Sequence, residues 1–354
     1  MNLGVIGYCA QTGIGIMTED ICYHFYPSVK KQLVIPHNAA AFLPMSVGRE
    51  TIHTSAWNPP REDIHRFCAN IDIVLTVETD WGPNTFGYIK ETGTKIVKIV
   101  MYEWFNPKEE SNKFVDLWIC TTHESYTQLP YGNRVFLQWP VNTKRIKPRK
   151  ITGKAKSFIH NAGNIGISGR KGTAETIEAF ARTSPPDINL VVNSQKDLEG
   201  TREKKLVDRD RRISLNIKNV NDFADLYKEG DVLIYCSKID GQSMVGLEGC
   251  AAGMPVITTD AAPMNEYWDG SYDIPEVGVC DDDRLLVKVK RKENAHTTNP
   301  NSQINIIDID DLAAKIEWCA NNDLTDISIQ NRQLAEALSW KVWASSWFRA
   351  LKNL

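Results

Sequence analysis

The sequence predicts an α/β protein with two doubly wound domains. Short runs rich in Val, Ile and Leu, such as DIVLTVE and TKIVKIV, alternate with amphipathic segments. These runs lack strict polar alternation, which is typical of parallel strands covered on both faces. The alternation stops at the basic residues 142–156 and then starts again, which indicates a linker between two domains. A chain of 354 residues is long enough for two hydrophobic cores.

The elements follow in order along the chain. In the first half, a helix starts in TEDICYHFYPSV, and the predicted strands are LGVIGYC, QLVIPH, DIVLTVE, TKIVKIV, LWICTT and NRVFLQWPV. In the second half, helices are expected in GTAETIEAFART, VNDFADLYKEG and residues 246–252, between the strands SFIHNAG, INLVVNS, DVLIYCS and PVITTD. Residues 281–305 break this pattern and predict a β excursion with a polar loop. Apolar side chains at helical spacing predict one long amphipathic helix over Ile327–Leu354.

We therefore expect a first Rossmann-like domain at residues 1–150 and a second at residues 151–335. A C-terminal helix at residues 336–354 is expected to pack back on the first domain. The carboxyl ends of both sheets would face a cleft, since ligands of doubly wound sheets bind beyond those ends.

Composition excludes several classes of protein. The net charge of −3 argues against a strongly basic nucleic-acid binder. No apolar run reaches the roughly 20 residues that span a bilayer, and the N-terminus lacks the pattern of a signal peptide. The eight cysteines are scattered without a CxxC pair, which predicts a reducing compartment and no zinc site. We expect a cytoplasmic protein, in the host cytoplasm if the chain is viral.

The stretch DGQSMVGLEGCAAGMPVITTD, from Asp240 to Asp260, holds Glu248 among small and apolar residues. A helix is expected from about Ser243 to Gly253, and its first N–H groups form an anion site. A buried carboxylate needs hydrogen-bond donors, and the two hydroxyls of a ribose supply them. Asp240 would take hydroxyls of a second sugar, with the phosphates at the helix start. The alternative is a structural contact of Glu248 with an arginine or a backbone amide.

This stretch resembles the E-x7-E element of retaining GT-B glycosyltransferases, the family 4-like group that includes sucrose synthases and bacterial mannosyltransferases. The family pattern E-G-F-G-x-x-x-x-E-A-x-A-x-G-x-P-V-I stands here as D-G-Q-S-M-V-G-L-E-G-C-A-A-G-M-P-V-I. The resemblance implies two Rossmann-like domains, the first on the acceptor side and the second binding the nucleotide sugar. It also implies a UDP- or GDP-sugar donor, retention of configuration and no required metal or other cofactor. Asp240 replaces the first Glu, and Gln242-Ser243 replaces Phe-Gly. These positions hold the donor sugar and phosphate in the family, so the identity of the donor sugar stays open. The implied donor site comprises Asp240, Gly241, Gln242, Ser243, Met244, Val245 and Glu248.

The resemblance extends over FIHNAGNIGISGRKGTAETIEAF, residues 158–180. Arg170 and Lys171 match the basic pair that holds the donor diphosphate, and two cations at a helix start suit that role by their charge alone. Asn164 stands where the family often has another arginine. Asn219 and Val220 fall where the family contacts the base.

The match is looser in the first half. Gly13 and Gly15 in QTGIG resemble the family's N-terminal glycine loop, and the alternative interpretation is a tight strand–helix turn. The histidine that the family carries at the reaction centre is absent, and Tyr102 or Glu103 takes its place. We expect Glu103 to orient an acceptor hydroxyl, and we expect Asp240, Arg170 and Lys171 to complete the catalytic set.

The sequence does not identify the acceptor, and the alternatives are a glycan, a lipid-linked sugar and a modified DNA base. Trp81, Trp104 and Trp139 are candidates for stacking sugars or bases. The basic run at residues 144–156 is either a solvated linker or a contact for nucleic acid or an anionic membrane. Rival functions are a non-catalytic nucleotide-sugar or nucleic-acid binding protein on the same scaffold, and an epimerase or a phosphorylase. The acids Asp308–Asp310 predict a helix N-cap better than a metal site.

Overall fold

A computed structural model describes residues 1–10, 12–36, 50–163, 169–218, 220, 222–274, 278–281, 283–293, 299 and 303–354. The chain forms two compact units. Unit 1 comprises Met1–Pro140, His296–Pro300 and Trp343–Leu354, and unit 2 comprises Val141–Ala295 and Asn301–Val342. Each unit contains one parallel sheet with helices between its strands, which confirms the predicted pair of doubly wound α/β domains.

Seven parallel strands form the sheet of unit 1, in the order β3-β2-β1-β4-β5-β6-β7. Their bounds are β1 Leu3–Tyr8, β2 Val29–Ile35, β3 Glu50–His53, β4 Ile73–Val77, β5 Lys95–Val100, β6 Leu117–Cys120 and β7 Arg134–Phe136. The helices between them are α1 Gly13–His24, α2 Arg61–Cys68, α3 Thr85–Glu91 and α4 His123–Gln128. Every residue of β1 and β4 is buried, as expected for strands covered on both faces.

Six parallel strands form the main sheet of unit 2, in the order β10-β9-β8-β11-β12-β15. Their bounds are β8 Ser157–Gly163, β9 Asn189–Ser194, β10 Ile213–Ile217, β11 Val232–Tyr235, β12 Val256–Thr259 and β15 Leu286–Val287. The helices are α5 Thr173–Arg182, α6 Arg202–Arg209, α7 Met244–Ala251 and α8 Ile309–Asn321. Phe158 of β8, Phe180 of α5 and Leu312 of α8 share one buried apolar cluster, so α5 and α8 cover the same face.

Two antiparallel pairs extend unit 2. Strands β13 (Asp269–Ile274) and β14 (Gly278–Asp281) form one pair, and β16 (Val289–Glu293) and β17 (Gln303–Ile307) form the other. The second pair confirms the predicted β excursion. Directly after it, the Asp308 carboxylate accepts hydrogen bonds from the N–H groups of Asp310 and Asp311 at 3.1 Å each, so these acids cap α8 as predicted.

The prediction of one long C-terminal helix is wrong. The structure has two helices, α9 (Thr325–Ala337) and α10 (Trp340–Lys352). Between them, Ser339 forms a β-bridge with Val141, whose N–H donates to the Leu338 carbonyl over 2.9 Å. The helix is interrupted because this backbone pairs with another segment. Side-chain periodicity carries no information on such a pairing.

The basic segment at residues 144–156 is attached to unit 2. Ile146 and Ile151 are buried. Arg145 forms an ion pair with Asp222, with Nε 2.8 Å from Oδ1, and Arg149 donates to the Gly230 carbonyl. The lysines of the segment are exposed, namely Lys144, Lys147, Lys150, Lys154 and Lys156. Two of its seven cations are therefore used in folding, and contact of the lysines with an anionic surface stays a prediction.

Two further features concern the described residues alone. No helix among them combines the length and apolar character needed to cross a membrane. The seven cysteines that the structure describes are buried and form no disulfide bond, namely Cys9, Cys22, Cys68, Cys120, Cys236, Cys250 and Cys319.

Candidate active site

The switch point of the unit 2 sheet brings three predicted residues together. From β8, the strands run to one side through β9 and β10, and from β11 they run to the other side. Arg170 and Lys171 stand between β8 and α5, and Asp240 follows β11. Open parallel sheets bind ligands at such a point, beyond the carboxyl ends of the strands.

Lys171 and Asp240 form an ion pair, with Nζ 2.5 Å from Oδ2. The Tyr235 hydroxyl donates to the same oxygen over 2.6 Å, and the Gly241 N–H donates to Oδ1 over 3.0 Å. Burial alone would raise the pKa of Asp240, but the charges of Lys171 and Arg170 outweigh it and hold this pKa well below its ordinary range. Asp240 is therefore an anion at neutral pH and fixes the position of the Lys171 ammonium.

The turn that carries the two cations is held against the chain after β11. The Lys238 N–H donates to the Arg170 carbonyl over 2.7 Å. Gly172 has a φ of +67° and lies so close to the Cys236 carbonyl that a Cβ would overlap it. Glycine is required at this position for both reasons. The contact keeps Arg170 and Lys171 beside the acid that follows β11.

Helix α7 carries Glu248 in its second turn. Glu248 is only 7% exposed, and its carboxylate accepts a hydrogen bond from the Tyr227 hydroxyl. Burial first, and then the charge of Glu248, raise the pKa of Tyr227 well above its ordinary value, so this hydroxyl stays a donor. One of the donors that the buried carboxylate needs is thus a tyrosine, which neither sequence alternative named.

The two glycines of α7 allow close packing within the protein. A Cβ on Gly249 would lie 2.5 Å from Leu233 Cδ2 of β11, and one on Gly246 would lie 3.2 Å from the Trp268 ring. The sequence predicted that another group approaches this helix closely. In the structure that group is β11 and an indole ring, so packing alone explains both glycines.

The other predicted donor residues surround the start of α7. Gln242 Nε2 donates to the Tyr267 hydroxyl over 3.3 Å, and that hydroxyl donates to the Gln242 carbonyl over 3.3 Å. Ser243, with a φ of +58°, is buried before the helix, whereas Met244 and Val245 are partly exposed. The first N–H groups of a helix have no partner inside it, so this partly exposed turn suits an anion.

Glu103 belongs to unit 1. It lies in a short 3-10 helix, Tyr102–Trp104, directly after β5, and is only 6% exposed. The cations and Asp240 belong to unit 2, so the structure does not group Glu103 with them inside one unit.

Gly13 and Gly15 open α1. The Thr12 side chain caps this helix by accepting the Gly15 N–H over 3.2 Å. A Cβ on Gly15 would overlap the Ala10 carbonyl, whereas a Cβ on Gly13 meets no described atom within 4 Å. The tight strand–helix turn explains Gly15. It does not explain Gly13.

Two predicted residues, Asn164 and Asn219, lie outside the described residues. Val220 is described and partly buried. Among the described residues, no group of three or more His, Cys, Asp or Glu side chains is placed to hold a metal ion.

Sequence reasoning missed Tyr227 and Tyr235, which donate to Glu248 and Asp240. Each buried acid signalled a need for donors, but nothing in the sequence assigned a partner. Tyr235 ends β11 and Tyr227 ends a short 3-10 helix, Phe223–Tyr227. The sequence alone does not distinguish these two tyrosines from ordinary core residues.

One family model matches the part of the chain that carries this site. Residues 158–292 match the sequence model of a family described as Glycosyl transferases group 1. This match includes the two cations, Asp240 and Glu248. No curated protein matches the chain.

Solved structures of glycosyltransferases have a similar fold. A sucrose-phosphate synthase from Thermosynechococcus elongatus is 13% identical over 100% of this chain and 98% of its own, with a TM-score of 0.67. Anabaena HepE, in complex with UDP and glucose, is 11% identical over 100% of both chains, with a TM-score of 0.65. A glycosyltransferase from Rickettsia africae is 14% identical over 100% of this chain and 99% of its own, with a TM-score of 0.68. These likenesses confirm the predicted GT-B fold. The family match over residues 158–292 supports glycosyltransferase activity.

Proposed function

We propose that the protein moves a sugar from a UDP- or GDP-sugar to an acceptor hydroxyl, with retention and without a required metal. The ion pair of Lys171 and Asp240 at the unit 2 switch point, with Arg170 beside it, carries the proposal. The family match over residues 158–292 supports it, as does the fold shared with Anabaena HepE, which was solved with UDP and glucose.

In the donor complex, Arg170 and Lys171 neutralise the diphosphate together with the N–H groups at the start of α7. Asp240 orients Lys171 and accepts a hydroxyl of the donor sugar. Glu248 accepts the ribose hydroxyls, and Tyr227 holds its carboxylate in position. Val220 contacts the base.

In the transfer step, the acceptor oxygen forms a bond to the anomeric carbon while the bond from that carbon to the diphosphate oxygen breaks. Attack from the face that the diphosphate leaves retains the configuration, and the acceptor proton passes to the departing phosphate oxygen. The protein contributes positioning and charge stabilisation. Glu103 orients the acceptor hydroxyl. Two cations and a helix start stabilise the leaving group, so no metal is needed.

A panel of nucleotide sugars tests this function, with nucleotide diphosphate release as the readout. We expect release from at least one donor, reduced by at least about 100-fold in Glu248→Gln. The matched control is Glu229→Gln, which changes an exposed glutamate of the same unit. Thermal stabilisation by UDP or GDP is measured in the same samples. Neither release nor stabilisation from any nucleotide would contradict the proposal.

A further inference from the structure

The unit 1 sheet has its own switch point, between β1 and β4. The strands run from β1 through β2 to β3 on one side and from β4 through β7 on the other. Ile6 of β1 pairs with Thr76 of β4. Tyr8 and Glu78 each stand two residues beyond that pair, so they flank the crevice where open parallel sheets bind ligands.

The loop after β4 is built with strained backbone. Glu78 has a φ of +62° and Trp81 a φ of +58°, values that residues with side chains rarely adopt. The Trp81 indole N–H donates to Thr76 Oγ1 over 2.7 Å, and Thr85 Oγ1 donates to the Trp81 carbonyl over 2.7 Å. Strained residues that the surrounding structure holds in place cluster at binding sites. These hydrogen bonds hold the loop that carries Glu78.

Three aromatic rings stand at this crevice. Trp81 is fully buried and meets Tyr8 edge-on, with ring centroids 4.8 Å apart. Trp57 lies 5.4 Å from Trp81 and 5.8 Å from Tyr8, between ring centroids, yet it is 50% exposed. The loop that carries Trp57 is fixed, because Gly82 lies so close to the Asn58 amide that a Cβ would overlap it. The Trp57 ring is therefore held in place by its neighbours and is exposed to solvent.

The charges around these rings are negative. The loop after β4, ETDWGPNT, contains Glu78 and Asp80 and no basic residue, and the segment TSAWNPP around Trp57 contains no charge. Lys98, the cation beside this loop, forms an ion pair with Asp80. The two carboxylates and one cation at this loop leave a net negative charge, which would repel a polyanion such as DNA and would not affect a neutral ligand.

We propose that this crevice binds a neutral carbohydrate as the acceptor, with a sugar ring against the exposed face of Trp57 and sugar hydroxyls on Glu78 and Tyr8. The inference rests on the proposed function, because a bound carbohydrate is an acceptor only if the protein transfers a sugar. Of the three acceptor classes that the sequence left open, the inference selects the glycan. Burial and then the charge of Glu78 raise the pKa of Tyr8 to about 12, so its hydroxyl stays a donor, while the carboxylate accepts. An aromatic face beside a donor and an acceptor suits a ring that carries hydroxyl groups.

Ligand-observed NMR tests the inference, with neutral oligosaccharides and with single- and double-stranded DNA as separate probes. We expect at least one oligosaccharide to bind at millimolar concentration and DNA not to bind at physiological salt. Trp57→Ala should weaken that binding by about tenfold or more, and Trp57→Phe by less, since part of the ring face remains. Glu78→Gln should also weaken it. Tyr23→Ala, which removes another exposed aromatic ring of unit 1, should leave it unchanged.

The controls separate this inference from the proposed function. UDP or GDP binding to Trp57→Ala, measured by calorimetry, should equal wild-type binding, because the donor residues lie in unit 2. Absence of oligosaccharide binding with nucleotide binding intact would overturn the acceptor inference alone. Oligosaccharide binding that Trp57→Ala leaves unchanged would overturn it as well, as would salt-sensitive DNA binding.

Discussion

The Tyr227 hydroxyl donates a hydrogen bond to the Glu248 carboxylate, which connects the 3-10 helix Phe223–Tyr227 to α7. Both side chains are buried. The contact satisfies part of the hydrogen-bonding need of an acid that lies among apolar residues. It also fixes the carboxylate that we assign to the donor ribose.

Tyr227→Phe removes this donor and leaves the carboxylate buried. We expect the free energy of unfolding to fall by about 1–3 kcal/mol, the usual cost of an unsatisfied buried group. Urea unfolding at pH 7 measures it, and Tyr23→Phe, at an exposed position, is the matched control. Equal stability of the two variants would show that other donors suffice for Glu248.

Asp240→Asn keeps the shape of the side chain and removes the charge that pairs with Lys171. Turnover should fall on the order of 100-fold, because Lys171 loses its orientation and the donor sugar loses an acceptor. UDP should bind at least as tightly as before, since Lys171 is no longer neutralised. Calorimetry with UDP and a donor assay measure both effects, with exposed Asp187→Asn as control. If UDP affinity fell as far as turnover, Asp240 would serve the diphosphate site itself.

We expect folding stability to depend on pH because His160 is buried. Nδ1 lies 2.9 Å from the Ile234 carbonyl and therefore donates to it, and Nε2 accepts from the Thr173 hydroxyl over 2.9 Å. Burial lowers the pKa of His160 from 6.5 to about 4. Between these values the unfolded chain binds the proton and the folded chain does not, so stability falls as pH decreases through this range. The loss is about 3 kcal/mol at full extent, from 1.36 kcal/mol for each unit of pKa shift.

Urea unfolding at pH 4.5 and 7.5 measures this slope. His160→Asn lacks the titrating group, so its stability should depend less on pH over the same range. Other groups titrate equally in both proteins, so the difference between the two slopes isolates His160. Parallel slopes would mean that the pKa of His160 is the same in the folded and unfolded chains.

The glycines of α1 separate a packing role from a binding role. Gly15→Ala should destabilise the fold by about 1–3 kcal/mol, because the new Cβ meets the Ala10 carbonyl. Gly13→Ala should leave stability unchanged or raise it by up to about 1 kcal/mol, since no described atom lies within 4 Å of its Cβ position. If substrate fills that space, Gly13→Ala lowers turnover at least tenfold at equal stability. Unchanged turnover would remove Gly13 from the site.

The sequence predicted the fold well where the signal was local. The apolar runs at β1, β4 and β5 and the acids that cap α8 depend on neighbouring residues alone, and the structure contains each of them. The spacing of Asp240 and Glu248 placed both acids correctly relative to α7. The break between α9 and α10 was missed because it depends on Val141, nearly 200 residues away along the chain.

The same limit applies to the candidate sites. Tyr227, Trp57 and Glu78 gain their importance from neighbours that are distant in sequence. A left-handed backbone at Glu78 is a property of the folded loop and has no residue signature, since glycine is the usual occupant of that conformation. Charged pairs within a short motif can be predicted from sequence, whereas an aromatic cluster built from three separate segments cannot.

Nucleotide binding at the turn after β8 is the property on which the proposed function depends most, and calorimetry measures it directly. We expect UDP or GDP to bind wild-type protein, more weakly as salt rises, and to bind at least about 30-fold more weakly when both Arg170 and Lys171 are changed to Ala, because each diphosphate contact contributes on the order of 1 kcal/mol or more. The matched control changes the exposed Lys144 and Lys147 of the same unit to Ala and should bind as wild type does. Wild-type binding that survives the loss of both cations, or no binding of either nucleotide, would contradict the assignment of this turn to the donor diphosphate.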